Sequence, residues 1–187
     1  GHYVDVNGSS SQTPCATGTW QNQTGQTGCM NASVGHYVDV NGSSSQTPCA
    51  TGTWNNMTGQ SACTPASPGY YVDTNGSTTQ TPCGLGTWQN LTGQTACMNA
   101  SAGHYVDTNG STTQTPCGLG TWQNLTGQTA CMNASAGHYV DVNGSSSQTP
   151  CGLGTWNNMT GQSVCTNASA GHYVDVNGSS SQTPCGL

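Results

Sequence analysis

The chain of 187 residues has no Lys, Arg, Glu, Phe or Ile, and its six Asp leave a formal net charge of −6. A chain without cations cannot displace counterions from phosphate, which excludes nucleic acid as a partner. No stretch approaches the roughly 20 apolar residues of a membrane span, and the scarcity of Leu, Glu, Lys and Arg excludes a helical bundle. Ser, Thr, Asn and Gln predominate and Gly adds 27, against 32% apolar residues, so one large core is not available. Such a composition suits disorder, but 11 Cys and strict internal repetition argue for structure.

The first element begins at Gly1. Tyr3-Val4-Asp5-Val6 is a short β-prone run, Asn7-Gly8 is a strong hairpin turn signal, and Ser9 to Thr13 forms the return. Pro14 closes the unit, because it cannot donate to a central ladder. A second, weaker hairpin follows: Thr19-Trp20-Gln21-Asn22 leads to a turn near Thr24-Gly25 and returns through Gln26-Thr27.

The pair then recurs from Gly35, Gly69, Gly103, Gly137 and Gly171, a 34-residue period without insertions. The expected organisation is five repeats (1–34, 35–68, 69–102, 103–136, 137–170) and a partial sixth (171–187). A 17-residue half-period lies inside it: Tyr3, Trp20, Tyr37, Trp54 and onward to Tyr173 stand 17 apart, alternating Tyr and Trp. Hairpins this small are unstable alone. The expected fold is therefore all-β, an elongated tandem array of small disulfide-closed hairpins, with the aromatic series as its packed spine.

The Cys spacings alternate between 14 and 20. Shifted by 17, Cys15 falls on Ala32 and Cys29 on Gln46, so alternate half-repeats lack both members together. Joint loss is what a bond predicts, and it selects Cys15–Cys29, Cys49–Cys63, Cys83–Cys97, Cys117–Cys131 and Cys151–Cys165. The alternative pairs cysteines across the gap of 20. Each 15-residue loop closed in the first scheme contributes about 3 kcal/mol in the chain-entropy model. No C-x-x-C pair supports metal ligation. The in-phase partner of Cys185 would lie beyond Leu187, so the chain reads as a window of a longer array. Disulfides at this density imply an oxidising compartment, hence secretion or the cell surface.

Fifteen of 17 Asn stand in N-x-S/T sequons. Six belong to the Asn-Gly turns: Asn7, Asn41, Asn75, Asn109, Asn143 and Asn177. Five follow the Trp: Asn22, Asn56, Asn90, Asn124 and Asn158. Four precede the next repeat half: Asn31, Asn99, Asn133 and Asn167, with Pro65 at the equivalent place in the second repeat. Only Asn55 and Asn157 are outside sequons. Dense N-glycosylation, with further O-glycans on Ser and Thr, would supply the solubility that charge usually supplies. No other cofactor is expected.

The pattern C-x-x-G-T-W-x-N-x-T-G-x-x-x-C over 15–29, followed by G-H-Y-V-D-x-N-G over 35–42, resembles the cysteine-rich repeats of ciliate surface immobilisation antigens. More loosely it is similar to the ephrin-receptor-like cysteine-rich module. Family repeats carry further Cys where this chain has Gln12 and Ala32. The resemblance implies an extracellular, extended, disulfide-laddered surface protein with no catalytic residues.

Site chemistry is sparse. Asp5-Val6-Asn7-Gly8 has one carboxylate where a calcium loop needs several, and reads as a turn. His2 and its copies stand three positions before an Asp, on opposite faces of a strand. Ser, His and Asp recur alike in every repeat, and no core exists to shape one catalytic pocket, so no enzyme activity is expected. The leading reading is a structural glycoprotein forming a fibre, sheath or surface coat, with itself as partner in a longer array or filament. The alternatives are an adhesion or ligand-binding ectodomain and, from the regular Thr spacing, an ice-binding repeat.

Overall fold

The computed structural model describes residues 1–186. Its regular structure is all β: eleven antiparallel two-stranded hairpins and, among the described residues, no helix. β1 (His2–Tyr3) pairs with β2 (Thr13–Pro14), with His2 opposite Pro14 and Tyr3 opposite Thr13. β3 (Thr19–Trp20) pairs with β4 (Met30–Asn31), with Thr19 opposite Asn31 and Trp20 opposite Met30. Strand pairs of these two kinds alternate to the last one, His172–Tyr173 with Thr183–Pro184. The chain divides into two compact units, Gly1–Cys83 with Gln89–Cys97, and Gly84–Trp88 with residues 98–186.

The strands are shorter than the arms expected from Tyr3–Val6 and Ser9–Thr13. From Val4 onward the backbone turns away from its own hairpin and bonds to the next. In the first unit Val4 N donates to Gln26 O at 3.0 Å and Gln21 N to Ser43 O at 3.2 Å. In the second, Val106 N donates to Gln128 O at 3.0 Å and Gln123 N to Ser145 O at 3.1 Å. Every backbone donor needs a partner, and here successive loops supply it to one another. Asn7-Gly8 is still a turn, but it sits inside a wide loop rather than joining two long strands. Bonds also reach the next hairpin but one: Gly42 N donates to Cys15 O at 2.7 Å, and Gly161 N to Ala134 O at 2.8 Å.

Pro14 lies within a strand rather than after it. Cys15 N donates to Gly1 O at 2.8 Å, so the His2–Pro14 pair falls at the alternate, non-bonded position of the ladder. A residue without N–H costs no hydrogen bond there.

The fully buried positions are not the aromatic ones. Cys15, Ala32, Cys49, Ala66, Cys83, Ala100, Cys117, Ala134 and Cys151 are all 0% exposed and follow one another at the half-repeat spacing. A second buried series alternates an amide with valine: Gln21, Val38, Asn55, Val72, Gln89, Val106, Gln123, Val140 and Asn157. The Trp rings and most of the Tyr rings are half-buried. The indole Nε1 of each Trp is enclosed. The reason is volume. Inter-hairpin bonds bring backbones too close for a bulky spine, and opening glycines such as Gly120 show how close. A methyl group on Gly120 would lie 2.1 Å from Gly161 O, and Gly120 has φ +76°. Only glycine satisfies both conditions.

Five disulfides join Cys15 to Cys29, Cys49 to Cys63, Cys83 to Cys97, Cys117 to Cys131 and Cys151 to Cys165, each with Cα atoms 5.7 Å apart. Cys185 is unpaired and exposed. The half-repeats that lack cysteine have a different closure. Gln46 Oε1 accepts from Ser33 N at 2.7 Å while its Nε2 donates to Ser33 Oγ at 3.3 Å. Gln80 holds Ser67 in this way, Gln114 holds Ser101, Gln148 holds Ser135 and Gln182 holds Ser169. Each Gln stands one half-repeat after the second cysteine of a pair. Disulfides and amide clasps thus alternate along the chain.

Candidate glycan acceptor surface

All fifteen sequon asparagines are exposed, while Asn55 and Asn157, the two outside sequons, are each 4% exposed. The division follows from local backbone geometry in three settings.

Asn7, Asn41, Asn75, Asn109, Asn143 and Asn177 lie in the Asn-Gly turns, whose glycines take positive φ, such as +75° at Gly42. Asn41 Oδ1 accepts from Thr17 N at 2.9 Å, and Asn75 Oδ1 from Thr51 N at 3.0 Å. These bonds occupy the carbonyl oxygen and leave Nδ2, the nitrogen that would carry a glycan, uncommitted.

Asn22, Asn56, Asn90, Asn124 and Asn158 directly follow the buried amides. Adjacent residues in extended chain point to opposite sides, so an inward Gln21 sets Asn22 outward and an inward Asn55 sets Asn56 outward. The inward amides use both of their ends. Gln123 Nε2 donates to Ala130 O at 3.0 Å, and its Oε1 accepts from Leu125 N at 3.2 Å. Asn55 donates to His36 O at 3.1 Å and accepts from Met57 N at 3.0 Å. An Asn-Asn pair in the sequence therefore splits into one structural side chain and one surface side chain. The structural role of Gln21 and its copies has only one sequence signal, that the amide keeps its half-repeat phase with valine.

Asn31, Asn99, Asn133 and Asn167 lie in return strands, opposite Thr19, Thr87, Thr121 and Thr155. Asn31, Asn99 and Asn133 lie over the turn glycines Gly59, Gly127 and Gly161. Pro65 takes this place opposite Thr53 in the second repeat, just as Pro48 does opposite His36 in the other type of hairpin.

Other candidate chemistry is local. His36 Nδ1 lies 3.1 Å from Val34 O, and His104, His138 and His172 make the same contact at 3.3 Å with the carbonyl two positions before. Facing a carbonyl, Nδ1 carries the proton and pins the start of the strand. Among the described residues no three His, Cys, Asp or Glu side chains group as metal ligands. No helix of the described residues is long and apolar enough to cross a membrane.

Residues 103–151 match the family model described as tyrosine-protein kinase ephrin type A/B receptor-like. The matched segment runs from Gly103 through three hairpins to buried Cys151 and includes the Cys117–Cys131 bond. No curated protein matches the chain. The chain is thus built of cysteine-rich, disulfide-closed β repeats, part of which is similar to the ephrin-receptor-like module.

Proposed function

We propose that the chain is the repeat region of an extracellular structural glycoprotein that forms a surface coat, sheath or fibre. The observation that carries this reading is the sorting of asparagines: those within sequons are exposed and those outside them are buried. Carbohydrate on the exposed set would cover a chain that has no cations and only six carboxylates. The disulfides support an oxidising, extracellular setting, as does the similarity of residues 103–151 to a receptor-type module. The resemblance of the repeats to ciliate surface antigens points to the same location. The chain acts by assembly, not catalysis. The ephrin-receptor-like match favours one second reading, a ligand-binding ectodomain in which the same array serves as a spacer or contact surface.

The test is site-resolved mass spectrometry of secreted material, digested with a protease that cleaves at aromatic residues because trypsin has no site. Glycans are expected on most of the fifteen sequons and absent from Asn55 and Asn157. The substitution Pro65→Asn completes a sequon with Ser67 on an exposed strand position, where a glycan is expected as it is at Asn99 and Asn133. Bare asparagine at most of the fifteen positions would overturn the glycoprotein reading.

A further inference from the structure

One groove recurs beside the disulfide-bonded hairpins, outside the asparagine rows. In the first repeat Tyr3, Asp5, Thr19, Thr27 and Cys29 are among the residues that line an open groove of about 510 Å³. The equivalent open grooves at Tyr105 and Asp107, and at Tyr139 and Asp141, measure about 540 and 460 Å³. Each lies within one compact unit. Asp5, Asp107 and Asp141 are exposed, and the chain has no Lys or Arg to neutralise them.

Two groups of the polar lining only accept. Thr19 Oγ1 spends its proton on Ala16 O at 2.7 Å, so the oxygen is left only with lone pairs. Thr121 and Thr155 do the same towards Gly118 O and Gly152 O, each at 2.8 Å. A carboxylate accepts only, and the face of a tyrosine ring attracts positive charge. A group that only donates and carries positive charge fits this lining.

We propose that the Tyr–Asp groove binds a primary alkylammonium group, presented by the lysine side chains of a cationic partner polypeptide. The carboxylate takes the charge, the threonine oxygen takes a second N–H, and the tyrosine face covers the methylene next to the nitrogen. Because the Tyr–Asp pair recurs in every repeat, a partner with several lysines gains from simultaneous engagement.

The probe is a fluorescently labelled decamer of lysine, titrated into the folded, disulfide-bonded chain at about 0.15 M salt, where weak surface attraction is screened. Saturable binding is expected, lost when the six Asp are changed to Asn. Changing the six Tyr of this position to Leu keeps every charge and should weaken binding roughly two- to fivefold. Proton NMR of unlabelled decamer with the unaltered chain does not depend on how those variants fold. The lysine ε-methylene signal should move upfield under the tyrosine ring current. Binding without that shift would mean plain charge attraction and overturn the proposal. So would no binding at this salt concentration, or displacement of the decamer by a methyl glycoside.

Discussion

The alternation of disulfide and amide clasp can be converted at one position. Ala134 and Gln148 stand one half-repeat after Cys117 and Cys131. Ala134 N donates to Gly120 O at 2.8 Å just as Cys117 N donates to Gly103 O at 2.8 Å, and both side chains are 0% exposed. The backbone that brings the Cys117–Cys131 Cα atoms to 5.7 Å is thus repeated one half-period on. The double substitution Ala134→Cys, Gln148→Cys is expected to form a sixth disulfide. Closing a 15-residue loop is worth about 3 kcal/mol by chain entropy. The lost clasp consists of two bonds to Ser135, at 2.7 and 3.3 Å. Ser135 is exposed, so water replaces part of what is lost and the clasp is worth about 1 kcal/mol. The net gain is about 2 kcal/mol. A repeat array need not melt in one step, so the measurement should be local. Intact mass should fall by two hydrogens on oxidation, and amide exchange over 135–147 should slow by roughly 30-fold if it follows local opening. Persistently free thiols would refute the equivalence of the two half-repeats. A bond that forms but leaves exchange unchanged or faster would refute the magnitude.

Two further outcomes test the interior. Gly120→Ala should cost several kcal/mol, because left-handed φ disfavours alanine by about 1–2 kcal/mol and the new methyl would stand 2.1 Å from Gly161 O; exchange should accelerate on both sides of the 120–161 contact. Gln123→Ala leaves Ala130 O and Leu125 N without their side-chain partner. Leu125 and Ala130 are exposed, so water replaces part of what is lost and a cost of about 1–2 kcal/mol is expected, read as faster local amide exchange, whereas Gln128→Ala should cost little, because Gln128 Nε2 makes only an exposed bond to Thr126 O.

Much of the architecture follows from sequence arithmetic. The 17-residue phase of aromatic, glycine and turn places a hairpin in every half-repeat, because a period that small leaves room for nothing longer. The sequon rows are likewise local, since an Asn-Gly turn faces outward and extended chain alternates its sides. What the sequence does not carry is which phased position becomes interior. Tyr and Trp have the largest apolar area, and area alone would put them at the centre. The centre instead holds Cys15, Ala32, Val38 and Gln21, because bonds between successive loops draw the backbones within glycine-only distance and admit only small or tightly bonded side chains. The strands shorten for the same reason, since the donors from Val4 onward find partners in the next hairpin rather than across their own. The Gln46–Ser33 clasp is a third such case. Glutamine at a cysteine position reads as a missing bond, and only the fold brings Ser33 to it. These choices are long-range, set by which backbone lies beside which, and the tertiary structure alone decided them.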